Sequence, residues 1–212
     1  MCNLYSIRKG PAAILDLARA MRNDAGNLQP GDVYPDYAAP IVRTDANGDR
    51  ILTTGRWGMP SPARTLEGKK TDKGLTNIRN TRSPHWRRWL KPEYRCLVPM
   101  TAFSEPGRDA EGKHEPIWFR LDGDDPEPLA FFAGIWTPQW TSVRKLKEGP
   151  VTTDLCGFLT CEPNAEVGAV HPKAMPVVLT DPDEFEMWMT APWEIAAELQ
   201  RPLPGGALER MQ

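Results

Sequence analysis

Proline occurs 22 times in the 212 residues of this chain, roughly twice the usual share. Each proline removes a backbone donor and fixes one dihedral angle, so long uninterrupted helices are excluded and the backbone must be built from short elements joined by fixed turns. That points to an α+β fold: one β-rich domain over residues 1–212, with mixed or antiparallel strands in a barrel-like arrangement and a few short flanking helices. At 40% hydrophobic and 25% charged residues, a chain of this length buries a core without metal or disulfide staples. No apolar run approaches the roughly 18 residues a membrane span needs, and the start Met1-Cys2-Asn3 carries no apolar signal stretch. A cytoplasmic, nucleoid-associated protein with no membrane partner is the expectation.

Local patterns place the elements. Pro11 to Arg22 reads as an amphipathic helix with Ile14, Leu17, Ala18 and Met21 on its apolar face. Short apolar pieces between Val33 and Trp57 read as strands, with Asn47-Gly48 as a hairpin turn. Ser61 to Gly74 reads as a surface loop, and Ser83-Pro84 as the start of a short helix carrying Trp86, Trp89 and Leu90. Further strands are expected at Arg95 to Met100, Ile117 to Leu121, Leu129 to Ile135, Cys156 to Cys161 and Pro176 to Leu179, with Thr141 to Thr153 as a loop. Asp181-Pro182-Asp183-Glu184 combines a capping side chain, a first-turn proline and acids at the positive end of a helix, which would bury Phe185, Trp188 and Met189. A last helix is expected near Pro192 to Gln200, followed by a tail from about residue 201.

Charge is unevenly distributed. The formal net charge is −2, yet between Arg64 and Arg95 ten basic residues face three acids, a local +7. Such a window presents a positive surface to a polyanion, or is simply a solvated face. Trp86 and Trp89 stand among Arg82, Arg87, Arg88 and Lys91, in the mixture of rings and cations that binds single-stranded nucleic acid; the same spacing also suits core anchors.

The four cysteines, Cys2, Cys96, Cys156 and Cys161, form no C-x-x-C pair, and His85, His114 and His171 are scattered. Neither a metal site nor a disulfide framework is expected, and Cys96, Cys156 and Cys161 read as buried thiols. Cys2 differs. Removal of Met1 would leave an α-amine and a thiol on one residue, both usefully nucleophilic near neutrality. Against an amide, that residue is an N-terminal nucleophile with its own amine as base. Against an aldehyde, the amine forms an imine and the thiol closes on the same carbon to give a thiazolidine.

From Met1 to about Trp193 the chain resembles the SOS response-associated peptidase family, the domain of abasic-site-processing proteins. The resemblance is carried by Met1-Cys2, Tyr34-Pro35, Arg56-Trp57-Gly58-Met59-Pro60, Asn77-Ile78-Arg79, Phe103-Ser104-Glu105 and His171 before Met175-Pro176. It implies a sensor of abasic sites in single-stranded DNA that joins Cys2 covalently to the sugar aldehyde and shields the lesion. No cofactor is expected, and a one-to-one covalent reaction needs only a monomer. In that reading Asn77 orients the terminal amine or the sugar oxygen, Glu105 is the proton donor and acceptor, and His171 assists as acid or base. Arg79, Trp57, Arg82, Arg87, Arg88 and Pro35 would contact the DNA without reading its sequence. The chain departs from the family pattern at Asn3-Leu4, where glycine and arginine are usual, at Pro106, where tryptophan follows the glutamate, and in the spacing after His171. A cysteine peptidase acting on its own Met1 or another protein, and a noncatalytic single-strand DNA-binding module, are the alternative readings.

Overall fold

The computed structural model describes residues 2–108 and 111–211. Among these, the chain forms the strands β1 (Tyr5–Ile7), β2 (Arg22–Asn23), β3 (Gly31–Val33), β4 (Ala38–Thr44), β5 (Arg50–Trp57), β6 (Asn77–Ile78), β7 (Arg95–Met100), β8 (Ala102–Arg108), β9 (His114–Leu121), β10 (Ala130–Ser142), β11 (Val151–Cys161), β12 (Met175–Pro176), β13 (Val178–Leu179) and β14 (Leu208–Arg210). Five short helices flank them: α1 (Pro11–Ala18), α2 (Ala63–Leu66), α3 (Ala165–Gly168), α4 (Pro182–Thr190) and α5 (Trp193–Ala196).

Five strands close a barrel. β7 pairs antiparallel with β10 and β4, β10 with β11, and β4 with β5, and the parallel contact of Leu155 and Cys156 with Arg56 and Trp57 joins β11 to β5. A second sheet runs in the order β14-β9-β8-β1-β3. A single residue, Thr101, separates β7 from β8, and its hydroxyl donates to the Ser6 carbonyl at 3.1 Å, tying barrel to sheet. The space between them is filled with aromatic rings: Tyr5 stands edge-on to Trp57, Phe132 and Phe158, and Phe103 stacks on Phe119. Edge-to-face and offset geometries of this kind are the favoured ones for aromatic pairs.

The α+β, β-rich reading holds, and several boundaries move for identifiable reasons. Helix α1 stops at Ala18 because Arg19 turns left-handed at φ 52, which leaves Met21 77% exposed rather than on the apolar face. Arg22 and Asn23 then pair with β5. Strands β10 and β11 run further than their apolar cores suggest, passing a register shift between Thr137 and Trp140, so the expected loop shrinks to 143–150. Ser83-Pro84 opens a turn and a 3-10 segment, Arg87–Leu90, and both Trp86 and Trp89 are buried. These rings are core anchors and offer no stacking surface to a base. Within the expected Ser61 to Gly74 loop, the buried Asp72 carboxylate accepts from the Ser61 hydroxyl at 2.6 Å and the Gly74 amide at 2.8 Å, closing the loop on itself. The expected last helix divides into α5 and a 3-10 turn, Ala197–Leu199. Beyond it, β14 adds to β9, so the end of the described chain is sheet and not tail.

Helix α4 forms where its start signal lies: the Asp181 carboxylate accepts from the Asp183 amide at 2.7 Å, and Phe185, Trp188 and Met189 are buried. Cys96, Cys156 and Cys161 are buried free thiols. No helix among the described residues is long and apolar enough to cross a membrane.

Candidate active site

The residues that could carry chemistry meet where β1 enters the second sheet. Strand β1 is antiparallel to β8 with Tyr5 opposite Phe103, so the residues before Tyr5 run alongside Ser104 and Glu105. The Ser104 amide donates to the Leu4 carbonyl at 2.9 Å and the Ser104 hydroxyl to the same oxygen at 3.2 Å. The Cys2 thiol also points at this carbonyl, at 3.5 Å. On the other side, the Asn77 amide donates to the Cys2 carbonyl at 2.8 Å. Asn77 owes its position to β6, which lies parallel to β11 with Asn77 beside Phe158, and to Trp57, whose indole N–H donates to the Thr76 carbonyl at 3.1 Å.

Glu105 lies in the middle of β8 on the inward face and is 1% exposed. Burial disfavours its charged form and raises its pKa from 4.5 to about 7. A carboxyl with that pKa exchanges its proton at neutral pH, as general acid–base catalysis requires. His171 follows α3, whose N-cap Asn164 accepts from the Val167 amide at 3.1 Å. Its Nε2 lies 4.0 Å from a Glu105 oxygen, and partial burial lowers its pKa. The Cys2 thiol is buried, and burial together with the nearby Glu105 charge raises its pKa well above that of a free cysteine. At neutral pH this sulfur is a thiol and not a thiolate.

Gly107 lets the histidine loop approach. A Cβ there would lie 2.3 Å from Ile117 Cγ1 and 3.1 Å from Val170 Cγ1, next in sequence to His171. Gly107→Ala is therefore expected to destabilise the protein by about 1–3 kcal/mol, seen as a lower denaturation midpoint, and to push His171 away from Glu105.

The structure thus brings Cys2, Asn77, Glu105 and His171 together. The DNA-contact candidates divide. Arg79 lies two residues after Asn77, just past β6, and reaches Glu162 at 3.4 Å. It shares a groove of about 540 Å³ with Arg82 and Arg201, and Arg82 continues into a second groove with Arg87 and Lys91. The Arg88 guanidinium lies over Trp89 and Trp140, 5.0 and 5.8 Å from the ring centres. Pro35 is half-buried in the turn after β3. Trp57 is different: 1% exposed and stacked on Phe158, it has no open face for a base, and its part is to hold Thr76 and Asn77 in place. Leu4 and Pro106, two of the departures from the family pattern, line one apolar recess of about 260 Å³ with Ser104 and Pro116 beside the site. Thr76 and Gly107 carry no motif of their own, and the glycine marks a close backbone approach only once β8 is seen around it. Among the described residues, no group of three or more His, Cys, Asp or Glu could hold a metal ion.

A family model, SOS response associated peptidase (SRAP), matches residues 1–212. The chain belongs to this family. Membership extends through β14 and ties the chain to the SOS response, and so to DNA damage. Three proteins are among the solved structures that share the fold. One, a protein from Bordetella bronchiseptica, is 23% identical with a TM-score of 0.74, with 100% of both chains covered. A Bacteroides thetaiotaomicron protein is 18% identical with a TM-score of 0.71, with 100% of this chain and 92% of the other covered. A phage-related protein from Bordetella bronchiseptica is 18% identical with a TM-score of 0.68, with 99% and 93% covered. A search of curated proteins finds no match.

Proposed function

We propose that this SRAP-family protein captures abasic sites in single-stranded DNA covalently through Cys2 once Met1 is removed. The observation that carries this reading is the meeting of two groups where β1 enters the second sheet: the Asn77 amide holds the Cys2 carbonyl at 2.8 Å, and the strand running alongside places there the buried Glu105, a carboxyl that burial brings to a pKa of about 7. After Met1 removal the Cys2 nitrogen is the free α-amine, with a reference pKa of about 7.7–8.0.

The sequence of steps follows from the protonation states. Protonated Glu105 gives its proton to the ring oxygen of the abasic sugar as the ring opens to the C1′ aldehyde, and recovers it from the former anomeric hydroxyl. The amine of Cys2 attacks C1′, water leaves, and an imine forms. The thiol then adds across the C=N bond, its sulfur to C1′ and its proton to nitrogen, closing a thiazolidine with one water lost overall. His171, beside Glu105, assists these transfers. Because burial keeps the thiol protonated, the amine attacks first and the sulfur adds afterwards. The basic track Arg79–Arg82–Arg87 would hold the phosphates, with affinity falling steeply as salt rises.

The test uses protein shown by intact mass to lack Met1, mixed with a single-stranded oligonucleotide bearing one abasic site and run on a denaturing gel. Wild type is expected to give a band shifted by the mass of the adduct, and Cys2→Ala to give none. Absence of the band in wild type would overturn the proposal, and peptide turnover without an adduct would establish the peptidase instead.

A further inference from the structure

We infer that Tyr34 and Tyr37 form a stacking platform for the nucleobases next to the abasic sugar. This inference rests on the reading of Cys2 given above and names how the flanking strand is held.

Tyr34-Pro35-Asp36-Tyr37 is a β-turn closed by the Tyr37 amide donating to the Tyr34 carbonyl at 3.2 Å. Proline in the second place and a left-handed third residue make it a type II turn, whose third position ordinarily belongs to glycine. Here that residue is Asp36, at φ 72. The strain is held by ion pairs: Arg56 grips both Asp36 carboxylate oxygens at 2.7 and 2.8 Å, and Lys145 reaches one of them at 3.2 Å. Over-determined strain of this kind concentrates at functional sites. Its result is to bring two large rings, 6.1 Å apart, to the surface with 47% and 65% of their areas exposed.

The turn stands beside the proposed nucleophile. Strand β3 is antiparallel to β1 with Val33 opposite Tyr5, so one further step of the register sets Tyr34 opposite Leu4, two residues from Cys2. The turn is also coupled to Asn77. The Asp36 amide donates to the Trp57 carbonyl and the Trp57 amide to the Tyr37 carbonyl, at 2.8 and 2.9 Å, while the Trp57 indole holds Thr76. Exposed rings next to guanidinium and ammonium groups bind successive bases without sequence preference. With Trp57, Trp86 and Trp89 enclosed in the core, these tyrosines supply aromatic faces close to Cys2.

The experiment separates stacking from chemistry. A single-stranded oligonucleotide carries 2-aminopurine next to a tetrahydrofuran abasic analogue, which has no aldehyde. Binding of wild type is expected to quench the 2-aminopurine fluorescence. Tyr34→Ala/Tyr37→Ala is expected to lose the quench and bind about 10- to 100-fold more weakly, while Tyr34→Phe/Tyr37→Phe keeps both; circular dichroism checks that each variant is folded. No quench with wild type, or an equal quench with the folded double-alanine variant, overturns the inference. A quench that depends on the tyrosines, with no adduct on an aldehyde-bearing strand, upholds the platform and overturns the crosslinking reading alone.

Discussion

Replacing Glu105 by glutamine is expected to slow adduct formation about 100-fold or more, the usual range for loss of a general acid–base, while making the protein more stable above neutral pH. Both effects come from one buried carboxyl. Folding raises the Glu105 pKa from 4.5 to about 7, so between those values the native state holds a proton that the unfolded chain has released. The stability associated with the neutral carboxyl is complete below pH 4.5 and is lost as pH climbs through 7. Over that interval wild type should lose about 3 kcal/mol that the glutamine variant keeps. Denaturant titrations at pH 4 and pH 8 would measure the difference, and an equal change for both proteins would show that Glu105 does not titrate as described. In the wild-type reaction the amine must be neutral and Glu105 protonated, so the rate should pass through a maximum between about pH 7 and 8. The glutamine variant should lose the alkaline fall of that profile.

Arg95→Met should cost about 3–5 kcal/mol and lower the melting temperature by about 10 °C. Arg95 begins β7 fully buried, and its guanidinium donates to the carbonyls of Leu90, Trp188 and Ala191 at 2.8, 2.8 and 2.7 Å. Two of these carbonyls lie at the negative end of α4, so the cation both caps that helix and answers its dipole. Burial lowers the Arg95 pKa to about 10, which still leaves it charged at neutral pH. Methionine fills the same volume but leaves three buried acceptors without donors, while lysine, with one nitrogen, should fall between the two. Thermal melts of the three proteins would measure this, and a methionine variant as stable as wild type would show that water reaches these carbonyls.

Some of this protein was legible in its residues. The prolines excluded long helices, and β7 appeared at its observed bounds because its apolar run is continuous. Helix α4 was legible because its cap, its first-turn proline and its buried face are all local signals. The chemistry of Cys2 and the motif pieces around Asn77, Glu105 and His171 also named the residues of the candidate site. Strands β1, β6 and β8 were not legible, although they assemble that site. Strands β1 and β6 have only three and two residues, too few for an alternation to show. Strand β8 contains Pro106 and Gly107, residues that interrupt a strand pattern; the proline is accommodated because it lies opposite Pro116, where neither residue donates to the ladder.

What a chain determines by itself is which groups it carries and which local backbone shapes they favour. Its prolines, its capping signals and its cysteine at position 2 are properties of that kind. Burial is not, because it depends on segments far apart in sequence. The same tryptophan beside basic residues can face a base or fill a core, and only the closing of β5 against β11 placed Trp57 inside. Likewise Glu105 is an ordinary acid in the sequence. Removal of water by β1, β8 and β9 is what raises its pKa to about 7.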